Sequence, residues 1–123
     1  MLIILHGEPK STSSLYKMVC QGGFASVYMN KDAHALKDSY KRQAREQMVG
    51  YHTLTTDLEI DVKLFHGTLR KSDWDNFHKI SMDSLTNICW LDDSQIMKAT
   101  VEKFHDKLSP RIEINISEIC QPA

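Results

Sequence analysis

The chain has 123 residues, enough for one domain with one core. It is 41% hydrophobic and 25% charged, an ordinary globular balance, and its formal net charge is −1. That charge supplies no strong global field toward nucleic acid or membrane, so any nucleic-acid binding must come from a local basic face or a bound metal. The three cysteines, Cys20, Cys89 and Cys120, are odd in number, widely spaced and without a C-x-x-C, which argues against a zinc site or a disulfide framework and for a reducing cytoplasmic setting. The opening MLIIL is too short for a signal sequence, and no apolar run approaches membrane-spanning length.

In chain order, Leu2–Leu5 is an apolar run ended by Gly7 and Pro9, which predicts a buried strand. Tyr16–Cys20 and Phe24–Met29 flank Gln21-Gly22-Gly23 and read as a hairpin. Asn30 is the expected N-cap of a helix over Lys31–Val49 that Gly50 closes. Its core stripe is Ala33, Leu36, Tyr40, Ala44 and Met48. His34, Lys37, Lys41 and Arg45 make a basic stripe on another side, with Arg42 nearby; it is either a solvated face or a contact surface for phosphates. Tyr51–Asp57 is a polar connection. Leu58–Leu64 alternates strictly, putting Leu58, Ile60, Val62 and Leu64 on one face of a half-buried strand.

The informative stretch is Leu69–Asp93, which holds five of the ten aspartates: Asp73, Asp75, Asp83, Asp92 and Asp93. A helix is expected from about Asp75 to Ile88, with Phe77, Ile80, Ser81, Ser84, Leu85 and Ile88 toward the core. Cys89, Trp90 and Leu91 then form an apolar approach to Asp92-Asp93. Ile96–His105 and Arg111–Ile119 read as two closing strands joined around Ser109-Pro110. The order β-ββ-α-β-α-β-β predicts a single α+β domain, a mixed sheet with two helices packed on it.

Clustered carboxylates repel and are costly to desolvate unless a cation shares their site, and all-oxygen ligands suit magnesium or manganese. On extended backbone, Asp73 and Asp75 point to one side, roughly 7 Å apart at Cα. Asp93 returns a third carboxylate after the helix, and Lys79 stands one turn beyond Asp75. Such a constellation suits metal-dependent phosphodiester hydrolysis, with the lysine stabilising developing charge. The same residues also fit plainer roles. Ser72-x-x-Asp75 fits a capping box, Asp73 an N-cap, Asp92-Asp93-Ser94 a turn, and Asp75 with Lys79 a surface ion pair. A calcium loop counted from Asp73 is excluded, because His78 and Ser84 stand where glycine and glutamate are needed. Cys89 beside Trp90 reads as a buried thiol, not a nucleophile, and His66 and His105 as structural residues at strand ends.

The run Ser72-Asp73-Trp74-Asp75-Asn76-Phe77-x-Lys79, then Asp83-x-Leu85, then Trp90-Leu91-Asp92-Asp93-x-Gln95-Ile96 resembles the signature of the RusA family of Holliday-junction resolvases. The likeness covers about Arg70–Ile119, and its specificity lies in the combination and spacing. It implies a homodimeric, magnesium-dependent crossover junction endodeoxyribonuclease from a phage or prophage recombination setting, nicking four-way DNA junctions symmetrically. By the resemblance, Asp73, Asp75 and Asp93 are the metal and catalytic carboxylates and Lys79 the catalytic lysine, with Asp83 and Asp92 supporting. The expected DNA contacts are Lys37, Lys41 and Arg45, with Arg70-Lys71 as the basic pair before the first aspartate. The sequence therefore reads as a DNA recombination and repair nuclease using Mg2+ or Mn2+, cytoplasmic, with no membrane and no nucleotide cofactor. The alternatives are a nuclease for flaps or other branched DNA, and a DNA-structure-binding module without activity.

Overall fold

The computed structural model describes residues 1–9, 16–21, 24–29, 31–67 and 79–119. In chain order these form β1 (Leu2–His6), β2 (Tyr16–Gln21), β3 (Phe24–Met29), α1 (Lys31–Gln47), β4 (Leu58–His66), α2 (Lys79–Leu85), a 3-10 helix (Asp93–Gln95), β5 (Ile96–His105) and β6 (Arg111–Glu118). This is the expected α+β plan. Among the described residues four strands make one mixed sheet in the order β1-β6-β4-β5, while β2 and β3 pair with each other in a separate two-stranded sheet. β4 runs parallel to β5 and antiparallel to β6, which lies antiparallel to β1.

The strands bury one face because their apolar residues alternate. In β4, Leu58, Ile60, Val62 and Leu64 are buried between more exposed neighbours. In β6, Ile112, Ile114 and Ile116 do the same, and Ile3 and Leu5 continue the layer across β1. The α1 stripe packs against it through Ala33, Tyr40, Ala44 and Met48, with Leu36 partly buried. α2 adds Ile80 and Leu85, and Cys89 and Trp90 complete the core from the segment that follows. Each fully buried aliphatic or aromatic side chain contributes about 1.5–3 kcal/mol. Gly50, with φ of 86°, closes the turn after α1 in the left-handed region that glycine occupies without strain.

The outer edge of β1 is closed by helix side chains. Gln47 Oε1 accepts from Ile4 N at 2.8 Å, and Gln47 Nε2 donates to Ile4 O at 2.6 Å. Gln43 does the same for His6, accepting from its N at 2.7 Å and donating to its O at 3.3 Å. The match is geometric. Four helical residues rise about 6 Å, and two strand residues advance about 6.7 Å, so glutamines one turn apart meet alternate edge residues.

Two expectations change. The second helix ends at Leu85, not Ile88: Asn87 adopts a φ of 71° and Thr86 forms an isolated bridge to Trp90. Cys89 and Trp90 are buried, but Leu91 is 53% exposed, so the apolar approach stops at Trp90. The expected start of that helix, with Phe77, lies outside the described residues, as do the Asn30 cap and the Gly22-Gly23 turn.

Candidate active site

Asp93 opens the 3-10 turn that joins the helical half of the chain to β5. The turn is built by a capping box that Asp92-x-x-Gln95 spells out. Asp92 Oδ1 accepts from Ser94 N, and Gln95 Oε1 accepts from Leu91 N at 2.8 Å and Asp92 N at 2.9 Å. The other end of Gln95 donates to Leu54 O and Thr56 O, tying the turn to the connection before β4. Asp92 is thus engaged in making the turn. Asp93 is left to face solvent.

The Asp93 carboxylate is nevertheless held. Its Oδ1 accepts from Thr86 Oγ1 at 2.9 Å and from the Trp90 indole Nε1 at 3.2 Å. Trp90 is fully buried, so its N–H is a fixed donor at the edge of the core, and Thr86 hangs on the end of α2. Among the described residues both bonds fall on Oδ1. An oriented, ionisable oxygen is what a hard cation takes as ligand. The sequence reading passed over Thr86 and placed Trp90 in the apolar approach and the family motif without assigning its indole a partner. The signal was the indole nitrogen, which needs an acceptor wherever tryptophan is buried.

The remaining site residues distribute as follows. Asp73, Asp75, Arg70 and Lys71 lie outside the described residues, and so does His78. Lys79 is the first described residue of α2, and Asp83, half-buried, lies one turn further along it. Residues 68–78 leave from the carboxyl end of β4, whereas Asp93 sits beside its amino end, where Leu58 is in register with Ile96. The nine residues of β4 separate these two ends by about 26 Å. The chain comes back to Asp93 through α2, whose last turn reaches the carboxylate by way of Thr86. Among the described residues no three His, Cys, Asp or Glu side chains converge to hold a metal ion.

On α1, His34, Arg42 and Arg45 are exposed, and Lys37 and Lys41 half-buried. None of them is paired with a carboxylate among the described residues. Cys89 is a different case: burial pushes its thiol up to about 11, so at neutral pH it is a packed thiol and not a nucleophile. His66 is also buried, and burial lowers its pKa despite Glu8, whose Oε1 lies 3.7 Å from Nδ1. Glu8 Oε2 also accepts from Gly67 N at 2.7 Å, pinning the point where β4 ends.

An α+β domain with an exposed, hydrogen-bonded aspartate at a helix-strand junction and a basic helix face fits a nuclease acting on a phosphodiester backbone. The family comparison makes that specific. The family model for endodeoxyribonuclease RusA matches residues 7–117, and the chain belongs to that family. A comparison with curated proteins returned no match. Membership makes the protein an endodeoxyribonuclease of the Holliday-junction-resolvase family, whose substrates are branched DNA junctions and whose nucleases are in general divalent-metal dependent.

Proposed function

We propose that this chain is a crossover junction endodeoxyribonuclease that resolves four-way DNA junctions in recombination and repair, with magnesium as its metal. The observation that carries the reading is the exposed Asp93 carboxylate, held on one oxygen by Thr86 and Trp90, within a chain that matches RusA over residues 7–117. Asp73, Asp75 and Asp93 are the proposed metal-holding carboxylates. A divalent cation bound there supplies an acidified water and charge stabilisation at phosphorus. Lys79, at the start of α2, stabilises charge on the scissile phosphate, and Asp83 supports it from the next turn. Asp92 acts through the turn it caps.

Lys37, Lys41 and Arg45, with Arg70 and Lys71, are proposed to hold the DNA backbone. Contacts of this kind fix register on the junction without reading sequence. The working unit is a homodimer, because two symmetric nicks across a four-way junction call for two sites related by a two-fold axis, and pairing doubles each basic patch on a chain of net charge −1. A phage or prophage recombination setting in the cytoplasm suits such an enzyme. No described helix is long and apolar enough to cross a membrane.

The test compares cleavage of a four-way junction, a flap and a linear duplex, each with and without magnesium. The proposal expects magnesium-dependent paired nicking of the four-way junction above the other two, lost in Asp73→Asn. Full cleavage by Asp73→Asn would refute the metal-site assignment. Preference for the flap would move the protein to another branched-DNA specificity, and binding without cleavage would make it a DNA-structure-binding module.

A further inference from the structure

The two edges of the sheet are treated differently. The β1 edge is closed by Gln43 and Gln47, whose amides occupy the backbone groups of Ile4 and His6. At the other edge, β5 is ten residues long and, among the described residues, pairs with β4 alone, on one side. Eight of its ten residues are exposed, and among the described residues no further strand lies against its outer side. An open edge of this length presents a row of unpaired N–H and C=O groups and templates the addition of another strand.

The pattern of charges on β5 says which strand. A two-fold axis that joins two copies of one edge stands normal to the sheet, so the strands run antiparallel and side chains stay on their own face. Only the residue on the axis then remains to be chosen. Centring on Lys98, Glu102 or Lys103 sets like charges against each other. Centring on Ala99 or Val101 leaves Lys98 and Glu102 opposite uncharged residues. Centring on Thr100 sets Lys98 opposite Glu102 twice, once on each side of the axis. Opposite charges directly across an antiparallel pair are favourable and like charges are not. The regular stretch of β5 also begins at Lys98, after the one-residue irregularity against Leu58 and Glu59. Both charged side chains are on the exposed strand, and Lys98 already meets an acid across the sheet, with Nζ 3.5 Å from Glu59 Oε1.

We infer that β5 is the surface through which two copies of this chain associate, pairing antiparallel about Thr100 so that the sheets of the two subunits become continuous and Lys98 of each faces Glu102 of the other. The inference rests on the two-subunit reading above and names the surface that serves it.

The experiment is sedimentation equilibrium on the full chain and on Lys98→Glu, Glu102→Lys and the double exchange, with thermal melts confirming that each is folded. Wild type is expected at twice the chain mass, each single variant with a dimer dissociation constant at least tenfold higher, and the double exchange back near wild type. A dimeric wild type unaffected by either single variant overturns the surface while leaving the two-subunit reading standing. Single variants that weaken the dimer without rescue by the double exchange overturn the pairing about Thr100. A wild type that sediments at the chain mass overturns both and leaves the edge to a strand from a different protein. As a second readout, Thr100→Cys is expected to form a disulfide-linked dimer on oxidation beyond any seen in wild type, since the axis brings the two copies of that position together. Its absence in a dimeric variant counts against the register.

Discussion

Replacing Thr86 with valine isolates what holds Asp93. The substitution keeps the shape and removes one hydroxyl, which donates to Asp93 Oδ1 at 2.9 Å and reaches Met82 O at 3.2 Å. A hydrogen bond to a charged acceptor contributes about 1.5–3 kcal/mol when shielded, and Asp93 is exposed, so about 1 kcal/mol is expected here. For a domain of 123 residues that corresponds to a fall in Tm of roughly 3–5 °C. The effect on activity is expected to be larger, because loss of a partner that orients a metal ligand typically lowers metal affinity or activity about 10–100-fold. The assay is junction cleavage at limiting and at saturating magnesium, beside a thermal melt. Thr86→Val should lose at least tenfold in activity at limiting magnesium, recover part of it at saturation, and melt only a few degrees lower. Wild-type activity at limiting magnesium would show that Asp93 needs no orienting and would remove the argument built on its geometry.

Three further predictions address the scaffold. Gln47→Leu strips both partners from Ile4 and should cost about 1–3 kcal/mol in urea unfolding; an unchanged midpoint would mean that water serves the β1 edge equally well. Gly67→Ala would put a Cβ 2.7 Å from Pro110 Cγ and 2.8 Å from Glu8 Oε2, so it should cost about 1–3 kcal/mol, and a neutral result would show that this strand end yields freely. The pH dependence follows from His66, whose folded pKa is lowered by burial. The unfolded chain, with an ordinary value near 6.5, takes up the proton first, so stability is full above about pH 6.5 and falls as pH drops from there toward the folded value. Asp106, held below the usual carboxylate range by Arg111, acts in the same direction at lower pH, its contribution being lost as pH falls through its depressed value. Urea midpoints between pH 5 and pH 7.5 should therefore decline on acidification, and His66→Gln should flatten the decline.

Much of the fold was legible because burial imposes periodicity. Leu58, Ile60, Val62 and Leu64 marked β4, and Ala33, Tyr40, Ala44 and Met48 marked the inner face of α1. What periodicity does not carry is pairing. Nothing local in Arg111–Glu118 tells it to enter between β1 and β4 instead of lying beside β5. The glutamine closure of β1 joins residues more than thirty-five positions apart, and each glutamine alone reads as an ordinary helix-surface residue. The end of α2 was missed because Ile88 keeps the helical spacing, while Asn87 leaves the helix through its left-handed φ.

The site was legible by halves. The Asp92-x-x-Gln95 spacing is a capping box on paper and in space, and it separates two adjacent aspartates into one that builds the turn and one that faces outward. The link from Thr86 and Trp90 to Asp93 was not legible: a buried indole nitrogen calls for an acceptor, but a sequence does not say which one. Asp73 and Asp75 were singled out by charge crowding and by the family motif, and they lie outside the described residues.

Whether Asp93 belongs to a divalent-metal site is measured most directly, and without any DNA, by manganese binding followed by electron paramagnetic resonance. Wild type should bind manganese tightly, Asp93→Asn at least tenfold more weakly, and Asp92→Asn close to wild type once allowance is made for its loosened turn. Equal binding by wild type and Asp93→Asn would contradict the metal-site assignment.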